Sequence, residues 1–240
     1  MMKSGLLFIC YACICQLIPG NSLGRNTSFS EQPDVCRSDG FFDSDTGTFD
    51  YYVNKEKVGT SYYEFLVEHV LTNTFELATE GISYKGKLRI VFRGISDWKT
   101  VYYENNGRSV SITNSGPDIV ISARGREQSI PNQSQGILLE DMTPYLVQLL
   151  IRDHAKRTPE VQRFNAYFIP AMNIEGEIEY LGSSERTIGM RSGMYHAYRV
   201  TLPGIYVMEV LTDSENNICL IEYRAQNGAF VKRGFEQLLE

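Results

Sequence analysis

The stretch FDYYVNKEKVGTSYYEF, Phe49 to Phe65, decides how this chain is read. Two runs rich in aromatic and β-branched residues flank a short polar turn with a glycine, which is the composition of a β-hairpin. Phe49, Tyr51 and Val53 fall on one face of the first run. Tyr63, Phe65 and Val67 fall on one face of the second, with Glu64 and Glu68 opposite, because side chains alternate along a strand.

The same alternation continues outward from that hairpin. Leu88, Ile90 and Phe92 alternate with Lys87, Arg89, Val91 and Arg93, and Val110 and Ile112 alternate with Ser109, Ser111 and Thr113. Ile174, Ile178 and Tyr180 alternate with Glu175, Glu177 and Glu179. Lys85-Gly86, Asn105-Asn106-Gly107 and Asn227-Gly228 read as hairpin turns, since Asn and Gly accept the positive φ such turns need. Asp213 to Asn217 reads as a longer hairpin loop.

One segment breaks the pattern. In MTPYLVQLLIRDHAKRTP, Thr143 suits a helix cap and Pro144 the first turn. Tyr145, Leu146, Leu149 and Leu150 form an apolar stripe, Arg152, Lys156 and Arg157 favour the C-terminal end, and Pro159 stops the run. The expected order is about six strands, a helix near the middle, then about six strands. The fold class that follows is mainly β: a single antiparallel meander curled into an open half-barrel, with one central α-helix on its concave face.

The 240 residues carry a net charge of −6, which speaks against nucleic acid as a partner, because phosphate binding needs a basic surface. The N-terminus has Lys3, an apolar run from Leu6 to Ile18, a break at Pro19-Gly20, and small residues Ser22 and Gly24 before Arg25. This is the layout of a cleaved secretory signal peptide, and the run is short for a membrane span. An uncleaved anchor and a lipoprotein signal at Cys13 are the rival readings. The expected division is 1–24 signal peptide, 25–47 a loosely ordered lead-in, and 48–240 the β domain, secreted or periplasmic. Cys10, Cys13 and Cys15 leave with the signal, so Cys36 and Cys219 remain as a candidate disulfide. Two unpaired cysteines, one of them buried, is the alternative. Sequons stand at Asn26 and Asn132.

Three features together carry a family resemblance: the early hairpin with Tyr51, Val53 and Gly59, the Pro144-Tyr145-Leu146 helix, and YRVTLPGIYVMEVLTDSENNICLIEYR from Tyr198 to Arg224. The chain from about Phe49 to Arg233 resembles secreted bacterial proteins of unknown function whose half-barrel fold is similar to the periplasmic lipoprotein carriers. The resemblance implies that fold and a periplasmic setting. A lipid-like ligand follows only by analogy with the carriers.

Catalytic signatures are missing. His69, His154 and His196 have no metal-ligand spacing, and no nucleophile elbow, Walker loop or dinucleotide fingerprint occurs. Gly107 to Ser111 approaches the elbow pattern without its final glycine. Glu175, Glu177 and Glu179 share one strand face, whereas acid–base pairs must face each other across a bond. Cys36 lies in an oxidising setting that disfavours a nucleophile. No cofactor and no metal are expected. What remains is an aromatic inner face: Tyr51, Tyr63, Phe65, Phe92, Trp98, Tyr102, Phe164, Phe168, Tyr180, Tyr198 and Tyr206. Such residues either fill an ordinary core or line a hollow, and buried phenols need hydrogen-bond partners. The function expected is non-catalytic binding of a hydrophobic molecule or lipidated partner. The alternatives are an envelope assembly protein that binds other proteins, or an enzyme without a recognisable motif in the same hollow.

Overall fold

The computed structural model describes residues 44–239, apart from Val67, Glu80, Gly81, Ile95, Ser96, Gln135, Lys156 and Ala171. The signal segment, most of the lead-in, Asn26, Cys36 and the inward placing of Val67 therefore lie outside the described residues. Nine strands precede the helix: β1 (Asp45–Val53), β2 (Glu56–Leu66), β3 (Val70–Thr79), β4 (Ile82–Gly94), β5 (Asp97–Asn105), β6 (Arg108–Asn114), β7 (Asp118–Ala123), β8 (Arg126–Pro131) and β9 (Ile137–Leu139). Helix α1 (Pro144–His154) follows. Six more strands complete the described chain: β10 (Gln162–Phe168), β11 (Met172–Ile188), β12 (Arg191–Leu202), β13 (Tyr206–Thr212), β14 (Ile218–Tyr223) and β15 (Gly228–Lys232).

All fifteen strands belong to one sheet, ordered β8-β7-β6-β5-β4-β3-β2-β1-β15-β14-β13-β12-β11-β10-β9. Two meanders meet where β1 pairs with β15, and only β9 runs parallel to its neighbour. The sheet is not closed; β8 and β9 are its two ends. It is nevertheless strongly rolled. Strands β5 and β10 stand ten spacings apart in the order, about 48 Å in a flat sheet at ~4.8 Å per strand. Yet the rings of Trp98 on β5 and Tyr167 on β10 stack with centroids 5.8 Å apart. Phe168, on the other face of β10, meets Tyr206 of β13 at 6.3 Å. The β10 edge therefore lies inside the curl, with one face toward its own half of the sheet and the other under β5. Burial on both faces explains why Ile137, Leu138 and Leu139 of β9 are consecutive apolar residues, each at most 5% exposed. Asn173 Nδ2 reaches Pro131 O at 2.8 Å and ties the end of β8 to β11.

The helix lies on the inner face. Tyr145 stacks on Tyr63 at 4.4 Å and sits 5.7 Å from Phe65. Residues 144–151 are all buried, not the Tyr145–Leu150 stripe alone, because the rolled sheet surrounds the helix. Gln148 is inside too; its amide donates to Asp45 and its oxygen accepts the Ile218 N–H at 2.9 Å. The helix ends at His154, before Pro159, and Arg152 and Arg157 bond to the Ser214–Asn217 loop.

Several local expectations change. The first strand begins at Asp45, so the lead-in does not reach residue 47; Gly47 already pairs with Tyr63. The first turn is Asn54-Lys55, both left-handed with φ 52° and 67°, whereas Gly59 lies within β2 at a bulge. Lys85-Gly86 is no turn but the middle of β4. Glycine is required there by packing: a Cβ at Gly86 would stand 2.2 Å from the Phe75 ring. The same device recurs across strands at Gly176, whose Cβ would meet Phe164 at 2.4 Å. Tyr102 points outward at 43% exposed, and Tyr103 turns inward instead. The cause is the register shift opposite Phe92, which leaves Lys99 unpaired in β5 and reverses the alternation beyond it.

Candidate functional site

The hollow is polar where the link between β9 and α1 crosses it. Glu140, 5% exposed, accepts the Met142 N–H at 2.9 Å and the Thr143 hydroxyl at 2.6 Å. Thr143 occupies the cap position, but its hydroxyl serves Glu140 instead of the helix N–H groups. Asn73 of β3 donates to Thr143 Oγ1 and Met142 O, and Ser61 of β2 reaches Met142 O at 2.7 Å. Both anchoring strands thus hold the link through fully satisfied side chains.

The two carboxyls on this link are displaced in the same direction. Burial pushes Glu140 up to about 8, against the hydrogen bond from Thr143, and the neighbouring Asp141 raises it further. Burial lifts Asp141 to about 6, partly offset by a hydrogen bond from Tyr206. Among the described residues no lysine or arginine acts on either carboxyl. Asp141 and Tyr206 are both half-buried.

A run of aromatic rings continues from Tyr206. Tyr51 packs on Phe230 at 4.6 Å, Phe230 meets Tyr223 at 6.2 Å, and Tyr223 meets Tyr206 edge-on at 5.2 Å. These residues come from the ends of β1, β13, β14 and β15 that share one mouth of the roll. Tyr51 and Tyr223 are each 7% exposed, and neither phenol makes a hydrogen bond among the described residues. Burial raises both, and the charge of Asp141 raises both further. Gly228 clears room for one of them, since its Cβ would stand 2.9 Å from the Tyr51 phenol oxygen.

Of the expected inner-face residues, Tyr51, Phe168 and Tyr206 come together at this mouth. Tyr63, Phe65 and Phe92 form the bed under Tyr145, with Phe65 and Phe92 at 6.0 Å. Trp98 is sealed at the overlap, and Phe164 covers Gly176. Tyr180 and Tyr198 gather at the opposite mouth, where Tyr180 bonds to His196 Nδ1 at 3.1 Å. His196 is 6% exposed, more buried than a surface or half-buried histidine, and burial lowers its pKa. Tyr102 does not belong to the inner face. Glu177 and Glu179 pair with Arg163 and Arg199 at 3.3 and 3.0 Å. Cys219 is a free thiol, 1% exposed and pushed up to about 12 by burial. Asn132 donates both to Asn114 Oδ1 and to Gly116 O, so its sequon amide is in use within the fold. Among the described residues no three acidic, histidine or cysteine side chains gather as metal ligands.

Glu140, Asp141, Tyr223 and Phe230 were not among the expected site residues. The available signal was two acids wedged between the apolar runs Ile137–Leu139 and Tyr145–Ile151, a position that forces burial.

No family model matches the chain, and no curated protein matches it. A solved structure of a DUF1089 family protein from Pseudomonas aeruginosa is similar, with a TM-score of 0.50 and 10% identity over 86% of this chain and 98% of that one. At this identity the likeness extends to the fold alone, a mainly antiparallel β sheet belonging to a family of unknown function.

Proposed function

We propose that the protein is a non-catalytic binding protein, acting outside the cytoplasm, for a small amphipathic molecule. The apolar body of that molecule lies along Phe168 and Phe230, and its polar end meets Asp141 and the phenols of Tyr51 and Tyr223. One observation supports the reading: Tyr51, Phe230, Tyr223 and Tyr206 form an unbroken run of rings, 4.6–6.2 Å between successive centroids, in which the phenols of Tyr51 and Tyr223 spend no hydrogen bond on the described protein. A phenol without a protein partner is available to a ligand, and such a hydrogen bond contributes about 0.5–1.5 kcal/mol net. The extracytoplasmic setting rests on the signal-like N-terminus, and the comparison with lipoprotein carriers rests on the half-barrel likeness.

Native mass spectrometry of the protein secreted into an oxidising compartment, without detergent, tests this. An added mass that is lost on denaturation and recovered as an amphipathic compound is the expected result. A bare mass, with no uptake of neutral or charged fluorescent amphiphiles, overturns it.

The long β11–β12 hairpin favours a second activity, contact with an envelope protein. Beyond Ile178 and before His196 it pairs only with itself, and Met190 at its tip is fully exposed. Loss of a co-purifying protein on Met190→Ser would support that reading.

A further inference from the structure

We propose that His196 is an acid-sensitive pin at the root of the β11–β12 ribbon, and that taking up a proton there releases the ribbon from the outer face of the sheet.

Strand β11 stops pairing with β10 at Ile178, and β12 starts pairing with β13 at His196, opposite Thr212. Between these points residues 179–195 form a ribbon that pairs only with itself. The ribbon does not run straight out into solvent. Ile188 and Tyr195 are buried in one cluster with Leu211, Cys219, Leu220 and Phe235. Arg191 covers the Phe235 ring at 4.7 Å. Leu220 alternates with Ile221, which pairs with the inward Phe230, so this cluster lies outside the roll. A bend brings the ribbon onto that face. The register shift between Tyr180 and Gly182 supplies it, with Gly182 at φ 121°. Tyr180 pairs with Tyr198 on one side of the bend, and His196 pairs with Ser183 on the other. The hydrogen bond of 3.1 Å between the Tyr180 hydroxyl and His196 Nδ1 therefore spans the bend and ties its two sides together.

The place suits a neutral imidazole. His196 is more than nine-tenths buried. Around it stand Tyr180 from β11, Thr212 from β13, Asp213 from the loop after β13 and Arg157 from the segment after α1. Arg157 repels an imidazolium. Asp213 attracts one, but its carboxylate already accepts from the N–H groups of Glu215 and Asn217 and from the Asn217 amide. A proton on His196 thus creates a buried cation whose nearest acid is committed elsewhere, an unfavourable state. Burial holds the folded-state pKa below 6.5, so the pinned arrangement is fully favoured above that pH and loses ground as pH falls below it.

The test reads Cys219, which the released ribbon uncovers, in the secreted full chain. Dithiodipyridine, which still attacks thiols in acid, labels the protein from pH 7.5 to 5, and peptide-resolved mass spectrometry follows Cys219. Trp98 fluorescence monitors the roll itself. The expected result is a labelling rate that rises severalfold, up to about thirtyfold if the freed imidazole has an ordinary pKa of about 6.5, with the Trp98 signal unchanged. His196→Gln cannot charge and gives a flat profile. Tyr180→Phe lacks the pin and labels faster already at pH 7.5. Should Cys219 be bridged, amide exchange of residues 183–195, corrected for the intrinsic effect of pH, carries the same comparison. A wild-type rate that does not rise, an equal rise in His196→Gln, or a rise that accompanies loss of the Trp98 signal overturns the proposal.

Discussion

Replacing Glu140 by glutamine is the sharpest test of the buried link. Glu140 has a folded-state pKa of about 8 against an ordinary value of 4.5, with burial as the main cause. Near pH 7 the folded protein keeps a proton that the unfolded chain has released. The resulting penalty is about 1.36 kcal/mol for each unit between 4.5 and 7, or about 3 kcal/mol. The sign follows from the direction of the shift. Below pH 4.5 both states are protonated and the penalty vanishes; it grows as pH rises and levels off above about 8. A glutamine side chain cannot ionise, and its carbonyl oxygen can still accept from the Met142 N–H and the Thr143 hydroxyl. Glu140→Gln should therefore match the wild type near pH 4 and exceed it by up to about 3 kcal/mol near pH 7. Asp141 adds a slope of its own between 3.8 and about 6, so the comparison is cleanest from pH 6 to 8. Urea unfolding followed by the fluorescence of Trp98, the single tryptophan, measures it. A variant less stable than the wild type near pH 7, or one with the same slope from pH 6 to 8, would refute the burial argument.

Tyr103→Ala should cost about 3–5 kcal/mol in urea unfolding, while Tyr102→Ala should cost less than about 1, because the bulge at Lys99 turns only Tyr103 inward. Equal costs would remove the bulge from the account. Gly86→Ala should lower stability by about 1–3 kcal/mol in the same assay, since its methyl meets the Phe75 ring and the Glu104 carbonyl; an unchanged midpoint would contradict that packing. Cys219 should resist iodoacetamide in the native protein and gain one alkyl group on unfolding without reductant, read by mass. Labelling only after reduction would instead establish a disulfide.

Much of the fold is legible along the chain, because burial on one face of a strand imprints a period of two. Leu88, Ile90, Phe92, Val110 and Ile112 are all inward as their alternation requires, and the turn at Asn106-Gly107 is written in two residues that tolerate positive φ. The helix is equally plain from its stripe and from Pro144. Legibility fails wherever the cause is non-local. Gly86 looks like a turn because its reason, the ring of Phe75, lies on another strand. Tyr102 looks inward because a one-residue bulge is invisible to a count of twos. Strand pairing and hydrophobic alternation, both local or nearly so, are what the sequence by itself determined. Only the tertiary structure decided that the sheet rolls far enough for Trp98 to stack on Tyr167, and that Tyr51, Phe230, Tyr223 and Tyr206 line up at one end of the roll. Those contacts join residues scores of positions apart, and their energy depends on twist accumulated over many strands and on water excluded from the mouth, neither of which any single segment encodes.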